Sequence, residues 1–426
     1  MPAPATDEHT GGSASPKRFL IIYAQPSFWS MGTGIGAGSF SRTPRALAEK
    51  GHEVHVVLPA EKGAVAGEES WEGVRLHRFA SKVSFQPPYA ILPIRLALRA
   101  TSYLSYQIVG MRTALEVARK VLPDIVISFG AFEAPVARRV ARSLGVPNVV
   151  RLFGNGLSLT LHDPIRFRLN FPEVAAFRTP CARLILTNDG VNGQAVAERC
   201  GVPPERFVHL RNGLDFAHFT PGEPDPGLLR RLGVPPDAFV LMTVTRLAYE
   251  KKLERLIEAM PPLLRRCPSA VAVLVGEGPE RGRLERLARD LGVSSSVRMP
   301  GAVPNRDLPA LYRSATLVLS LLDRTNASNP VFEAMACGRC VVALDAGTTR
   351  EIVVPERTGV LLGPEALPVL GDHLADLLED PERRMRLARA GRDHVRRLLL
   401  DPAARMEQEI GILLQVIEEG RRGKAS

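Results

Sequence analysis

Five cysteines in 426 residues, at 181, 200, 267, 337 and 340, are few, odd in number and dispersed. That usage suits reduced thiols rather than a disulfide framework. Long apolar runs are missing too: no stretch approaches the roughly 18 uncharged apolar residues of a membrane helix. The N-terminus, MPAPATDEHTGGSASPKR, is small, polar and partly acidic, with no apolar region ahead of FLIIYA, so no secretory signal is read there. A disordered tail over 1–17 and a cytoplasmic protein are expected. No Asp-x-Asp pair occurs, and no repeat of solenoid period is visible. Acidic residues are outnumbered 45 to 55, a formal net charge of +10, which invites a nucleic-acid reading. Arginine, however, is spread along 133–144, 254–266 and 281–298 instead of forming an aromatic-interleaved stripe, and a solvated helical face is the default for such charges. No nucleic-acid partner is expected.

What is present alternates strand-like and helix-like segments in the manner of parallel, doubly wound α/β sheets. Strands are expected at 19–24, 53–58, 73–79, 124–129, 148–153, 183–187 and 206–211, with helices near 41–50, 91–120, 132–144 and 190–199. A Pro- and Gly-dense stretch, HFTPGEPDPG (218–227), reads as a linker. Beyond it, strands are expected near 239–245, 270–275, 296–299, 316–320, 339–344 and 359–362, and helices near 252–266, 279–291, 306–313, 330–337, 366–379, 382–398 and 402–418. The length suffices for two domains, each with its own core: 18–217 and 228–395, with 396–426 as a C-terminal helix.

Two segments carry chemistry. In DRTNASNPVFEAMACG (323–338), Asn329-Pro330 reads as an N-cap followed by a first helical residue. The amides of Val331 and Phe332 would then face an anion with the helix dipole behind them. Glu333, in the first turn, is expected to stay ionised and to accept from ribose hydroxyls; the competing role is that of a capping-box glutamate. In FVLMTVTRLAYEKKLERLIEAM (239–260), Arg246 and Lys251 follow a strand's carboxyl end, where α/β sheets bind ligands, and together they suit a diphosphate leaving group.

With these segments in place, the chain resembles the retaining glycosyltransferases of the GT-B fold, family 4 (group 1). The likeness runs through Arg246–Lys251, VGEGPERGRLERLARDLGV (275–293), VRMPGAVPNRDLPALYRSATLVLSL (297–321), FEAMACGRCVVALDAGTTREIV (332–353) and TGVLL (358–362). The match is thinner in RALAEKGHEVHVVLP (45–59) and RNGLDFAHFTP (211–221). The resemblance implies two Rossmann-like domains facing across a cleft, the first for the acceptor and the second for the donor, with a terminal helix crossing back to the first. It implies transfer from a nucleotide sugar to an acceptor hydroxyl with retention, on one face of the sugar, the leaving phosphate helping to take the proton. Arg246, Lys251 and Glu333 become the catalytic set. Gly34, Gly36, Asn326, Asn329, Val331, Phe332 and Met299 become donor contacts. No metal and no cofactor are implied, two cations already serving the phosphates. The acceptor, a sugar, a lipid-linked compound or a small molecule, stays open.

Departures accompany the likeness. Asn326 stands where the family usually has a sugar-contacting Glu, Lys252 where it has Gly, and Thr348 where it has the second Gly of a pair. Phe153 stands where the family often has His; His162 is the nearest other imidazole. A GT-B sugar-nucleotide epimerase and a non-catalytic nucleotide-sugar-binding relative are the alternatives, the second favoured somewhat by Asn326. The glycines from 32 to 38 do not follow their strand directly, so a loop approaching a ligand is favoured over a dinucleotide fingerprint. Cys337 and Cys340 match C-x-x-C but lie inside the family motif. The stretch 89–120 mixes Ile, Leu and Tyr with arginines. It reads as a core helix with a basic face, a peripheral membrane contact being the other reading.

Overall fold

A computed structural model describes residues 15–25, 39–60, 66–80, 92–187 and 192–425. Most of the expected tail, and Gly34 and Gly36 with the rest of 26–38, lie outside the described residues. The first domain runs β1 (Arg18–Ile22), α1 (Ser39–Glu49), β2 (Glu53–Pro59), β3 (Gly67–Trp71), β4 (Val74–Phe79), α2 (Leu92–Val121), β5 (Ile125–Phe129), α3 (Ala134–Leu144), β6 (Asn148–Leu152), α4 (Pro164–Leu169), α5 (Phe171–Arg178), β7 (Arg183–Thr187), α6 (Gly193–Cys200) and β8 (Phe207–Leu210). The second runs α7 (Pro226–Arg231), β9 (Phe239–Val244), α8 (Glu254–Arg266), β10 (Ala270–Val275), α9 (Arg281–Asp290), β11 (Val297–Gly301), α10 (Leu308–Ser314), β12 (Leu317–Ser320), α11 (Asn329–Ala336), β13 (Cys340–Leu344), β14 (Val360–Leu362), α12 (Leu370–Glu379) and α13 (Pro381–Leu398), before α14 (Pro402–Ala425).

The strand order is β3-β4-β2-β1-β5-β6-β7-β8 in one sheet and β11-β10-β9-β12-β13-β14 in the other. All the pairings are parallel except β3 with β4. Runs such as IVISF and CVVAL are buried along their whole length, as strands covered by helices on both faces must be. Each sheet reverses direction of growth once, between β1 and β5 and between β9 and β12, and such switch points open crevices at the strands' carboxyl ends.

Sequence periodicity misses β3, whose GEESW is nearly all exposed. It is an edge strand held by a tight turn in which Glu72 and Gly73 have φ of 47° and 81°, and charge on an edge discourages further pairing. Helices α4 and α5 are likewise missed, although Asp163-Pro164 carries a start signal. The Asp163 carboxylate accepts from the amides of Ile165 (3.1 Å) and Arg166 (3.0 Å).

The chain crosses between domains twice, side by side. Leu214 and Phe219 already belong to the second domain's core, and the Arg313 guanidinium grips Thr220 at its carbonyl (2.8 Å) and hydroxyl (2.6 Å). The passage therefore lies near Arg211–Leu214, ahead of the Pro- and Gly-rich 218–227, which is tied to the second domain. The return passage is beside it: Leu214 N–H donates to the Leu400 carbonyl (3.0 Å), and Arg405 Nε to that of Arg211 (2.6 Å). Helix α14 then packs Ile410, Leu413, Val416 and Ile417 into the first domain's core.

A buried charge network fixes that helix. Glu409, 1% exposed, accepts from Arg151 Nε on β6 (2.8 Å), from Arg405 Nη2 (2.7 Å) and from the Thr43 hydroxyl on α1 (3.0 Å). Burial alone would raise the Glu409 pKa, but the two guanidiniums outweigh it and draw the carboxyl from 4.5 down to about 2. A group depressed in the folded state adds stability that is full above its unfolded pKa and is lost as pH falls toward the folded value. Glu409→Gln would leave two buried guanidiniums uncompensated and should cost about 3 kcal/mol, read as a lower urea midpoint. The difference from wild type should shrink between about pH 4.5 and pH 2; a midpoint unchanged at pH 7 would mean the network contributes nothing.

Candidate active site

The carboxyl ends of β6, β9 and β12 converge on a cleft of about 420 Å³ between the domains. Phe153, Gly154, Asn155 and Asn212 form one wall; Lys251, Arg324 and the stretch from Ala327 to Pro330 form the other.

Lys251 ends a short turn after β9. The preceding backbone is held by the neighbouring loop, Leu247 N–H donating to the Glu277 carbonyl (2.9 Å). The ammonium is half-buried, and burial lowers its pKa; Glu250 opposes the shift, while Arg246 and Arg324 add to it. Lys251 thus feels two neighbouring guanidiniums against one carboxylate, a repulsion that an incoming anion would relieve. Arg246 is not itself part of the cleft lining; its guanidinium, about half exposed, pairs at 2.7 Å with Glu250, which is. Arg324 was missed from sequence because it sits inside a polar run with no periodicity. Lys252, in the family's Gly position, adopts φ of 53°, with its ammonium 4.0 Å from the Tyr249 ring centroid.

The start of α11 differs from expectation. Ser328, not Asn329, precedes the helix, and its carbonyl takes the amides of both Val331 (3.0 Å) and Phe332 (3.1 Å). Those two N–H groups are therefore not offered to an anion, and their side chains, 0% and 1% exposed, belong to the core. Asn329 does line the cleft, where its Oδ1 lies 3.4 Å from Asn212 Nδ2 of the opposite wall.

Asn326 is also reassigned. It is 0% exposed, and its amide is spent on scaffold: Oδ1 accepts from the Ser320 hydroxyl (2.7 Å) and the Leu322 amide (2.9 Å), while Nδ2 donates to the carbonyls of Leu322 (3.1 Å) and Leu344 (2.7 Å). Both acceptor directions and both hydrogens are used, so nothing is left for a sugar. Met299 lies on edge strand β11, partly buried against the core, with its carbonyl taken by Arg281 Nη2 (2.9 Å); it does not line the cleft.

Glu333 falls beyond the first turn of α11, which removes the capping-box role. Its Oε2 accepts from the Tyr312 hydroxyl (2.7 Å). Burial raises its pKa, while the Tyr312 bond and the charges of His218 and Arg42 lower it, and the net shift is upward. The expected dipole-favoured carboxylate is thus a desolvated one. Tyr312 and Arg42, from α10 and from α1 of the other domain, carry no local signal in sequence that points at Glu333.

Phe153 stands at the end of β6 in the cleft wall, packed on Phe40 (4.1 Å between centroids) and under the Arg151 guanidinium (4.3 Å). His162 is exposed and does not line the cleft. Cys337 and Cys340 are buried in the two different cores on either side of the sheet, and burial pushes both thiols up to about 12, which suits packing rather than redox exchange. Among the described residues no group of three or more His, Cys, Asp or Glu stands where it could hold a metal ion.

Because Asn326 satisfies buried backbone groups, Asn326→Ala should lose on the order of 2–3 kcal/mol of stability. Thermal unfolding reads this directly, and a variant melting with wild type would return Asn326 to the ligand.

Residues 228–394 match the family described as glycosyl transferases group 1, and residues 37–213 match the glycosyl transferase 4-like domain. A GDP-mannose-dependent alpha-(1-6)-phosphatidylinositol monomannoside mannosyltransferase of Mycolicibacterium smegmatis is 30% identical over 290 residues, 61% of this chain and 75% of its own length. A D-inositol 3-phosphate glycosyltransferase of Frankia alni is 33% identical over 282 residues, covering 62% and 68%. Among solved structures, sucrose-phosphate synthase from Thermosynechococcus elongatus superposes with a TM-score of 0.74 at 18% identity, covering 95% of this chain and 100% of that one. Anabaena HepE in complex with UDP-glucose superposes at 0.68 and 19% identity, covering 93% and 99%. These two likenesses show the fold, the paired Rossmann-like domains of GT-B proteins. With that fold, and with both halves matched, the chain belongs to the group 1 glycosyl transferases and is a glycosyltransferase.

Proposed function

We propose that the protein moves a sugar from a nucleoside-diphosphate donor to an acceptor hydroxyl with retention of anomeric configuration. The observation that carries this reading is the cation cluster of Lys251, Arg246 and Arg324, in which each arginine disfavours the half-buried ammonium. A diphosphate would relieve that repulsion, and the same charges would stabilise the oxygen released as the bond from sugar C1 to the β-phosphate breaks. The acceptor oxygen bonds C1 on the face the diphosphate leaves, and the acceptor proton passes to the departing phosphate oxygen. Protein cations meet the leaving charge in this scheme, with no resident metal or cofactor assigned. Glu333, steadied by Tyr312, is given the ribose hydroxyls. The relatives' names support a nucleotide-sugar donor, since one is GDP-mannose-dependent and one neighbour holds UDP-glucose. Asn326, the departure that favoured a non-catalytic relative, is spent on scaffold hydrogen bonds and has no part in this scheme.

The reading extends to a peripheral membrane contact that would bring a lipid-carried acceptor to the cleft. No helix among the described residues is long and apolar enough to cross a membrane. Helix α2 buries Tyr106, Ala114 and Ala118 in the core, while Ile94, Leu98, Leu104 and Ile108 are exposed on it. Helix α4 adds exposed Ile165 and Leu169 beside exposed Arg166 and Arg168. Arg99 Nη1 on α2 donates to Oδ1 of Asn170, the residue that follows α4, at 3.0 Å. Apolar residues flanked by arginine suit an anionic lipid surface.

Incubation with a panel of nucleotide sugars, following nucleoside diphosphate release and the anomer formed, tests the reaction. Lys251→Met should lose about a hundredfold in turnover, roughly the 2.7 kcal/mol of one charge-assisted contact to a developing anion; near-normal turnover in a folded variant would remove Lys251 from the phosphates. For the membrane, the wild type should float with anionic phosphatidylglycerol vesicles and the double variant Leu104→Glu, Ile108→Glu should not. Equal flotation of the two would show that α2 is not the contact.

A further inference from the structure

A second pocket, of about 240 Å³, adjoins the cleft and shares Phe153 and Gly154 with it. It lies at the β1/β5 switch point, where a Rossmann-like sheet receives ligands. Tyr23, Phe40, Phe129 and Phe132 give it aromatic walls, and Glu133 and Glu173 supply its carboxyls. Among the described residues that line it there is no lysine, arginine or histidine.

Glu133 is built into this pocket. It is 2% exposed at the start of α3. Its Oε1 accepts from the Ala24 amide at 2.5 Å, while Oε2 has no hydrogen-bond partner among the described residues. Gly130 makes room for it: that residue has φ of 138°, and a Cβ there would sit 2.7 Å from Oε2. A carboxyl oxygen fully removed from water and unpaired is costly unless something arrives to pair with it. Burial, only partly offset by the amides of Glu133, Ala24 and Phe132, raises its pKa to about 8. At neutral pH the group keeps its proton, so it can both donate to and accept from a hydroxyl. Glu173, the other carboxyl, is committed on both sides, its Oε2 accepting from the Gly156 amide at 2.7 Å and its Oε1 lying 4.0 Å from Arg99 Nη2, which is outside the lining.

We propose that this pocket selects an acceptor whose reacting ring is neutral and polyhydroxylated, with Glu133 Oε2 hydrogen-bonding one of its hydroxyls, and that it rejects phosphorylated rings. Aromatic walls offer apolar faces to the C–H faces of such a ring. A phosphate group entering the same space would lose its hydration beside the Glu173 carboxylate, with no cation among the described lining residues to compensate. The proposal rests on the transferase reading above and names the acceptor class for it.

The test is transfer to matched pairs of acceptors: myo-inositol against inositol 3-phosphate, mannose against mannose 6-phosphate, and glucose against glucose 6-phosphate. Nucleoside diphosphate binding to the wild type is measured alongside. At least one neutral member should exceed its phosphorylated partner by about tenfold or more in kcat/KM. Glu133→Leu should raise KM for that acceptor by about tenfold, the worth of one lost hydrogen bond, and Glu133→Gln, which keeps a donor and an acceptor, should restore most of it. Preference for the phosphorylated member, no use of any neutral member, or an unchanged KM in Glu133→Leu would overturn the proposal while nucleoside diphosphate still binds. If the wild type binds no nucleoside diphosphate, the transferase reading fails and this inference with it. The wild-type comparison decides the matter even if Glu133→Leu does not fold.

Discussion

Glu409 is the residue on which the arrangement turns. It belongs to the last helix of the chain yet is buried in the first domain, clasped by Arg151 on β6 and by Arg405 of its own helix. A carboxylate so far from water persists only because both guanidiniums reach it, and neither of those would be tolerated there without it. The network does two things at once. It completes the first domain with residues distant in sequence, and it fixes Arg151, which in turn lies over the Phe153 ring at the cleft wall. The two chain passages lie against each other through Leu214 and Leu400 and through Arg405 and Arg211. The separation of the cleft walls is thereby tied to the same place.

Charge is divided between the domains in a way that suits the chemistry proposed. Lys251, Arg246 and Arg324 stand on the second domain, where a diphosphate would sit. The pocket on the first domain presents carboxyls and aromatic faces. Arg42 on α1 departs from this division, its charge lowering the pKa of Glu333 in the opposite domain. A donor with its anionic half on one wall and an acceptor with hydroxyls on the other would meet at Phe153 and Gly154, which line both spaces.

Much of the fold was legible because parallel strands are uniformly apolar and their helices amphipathic. Every strand expected from that pattern is present within a few residues, whereas GEESW and the short α4 and α5 were lost because exposed edges and brief helices leave little periodicity. The site was less legible, for reasons that are physical. Lys251 could be placed because it follows a strand end. The roles expected of Asn326, Val331 and Phe332 could not be tested without knowing where the buried carbonyls of Leu322, Leu344 and Ser328 would fall. An asparagine that contacts a sugar and one that ties together three loops look the same in sequence. Arg324, Tyr312 and Glu133 gained their meaning only from neighbours far along the chain.

The central claim is that the cation cluster and Glu333 together hold a nucleoside diphosphate, and a crystal structure of the protein with one bound tests it most directly. The account predicts diphosphate oxygens within hydrogen-bond reach of Lys251 Nζ and the Arg324 guanidinium, and ribose hydroxyls against the Glu333 carboxyl. A nucleotide bound with its phosphates away from Lys251, or with its ribose turned from Glu333, would contradict it.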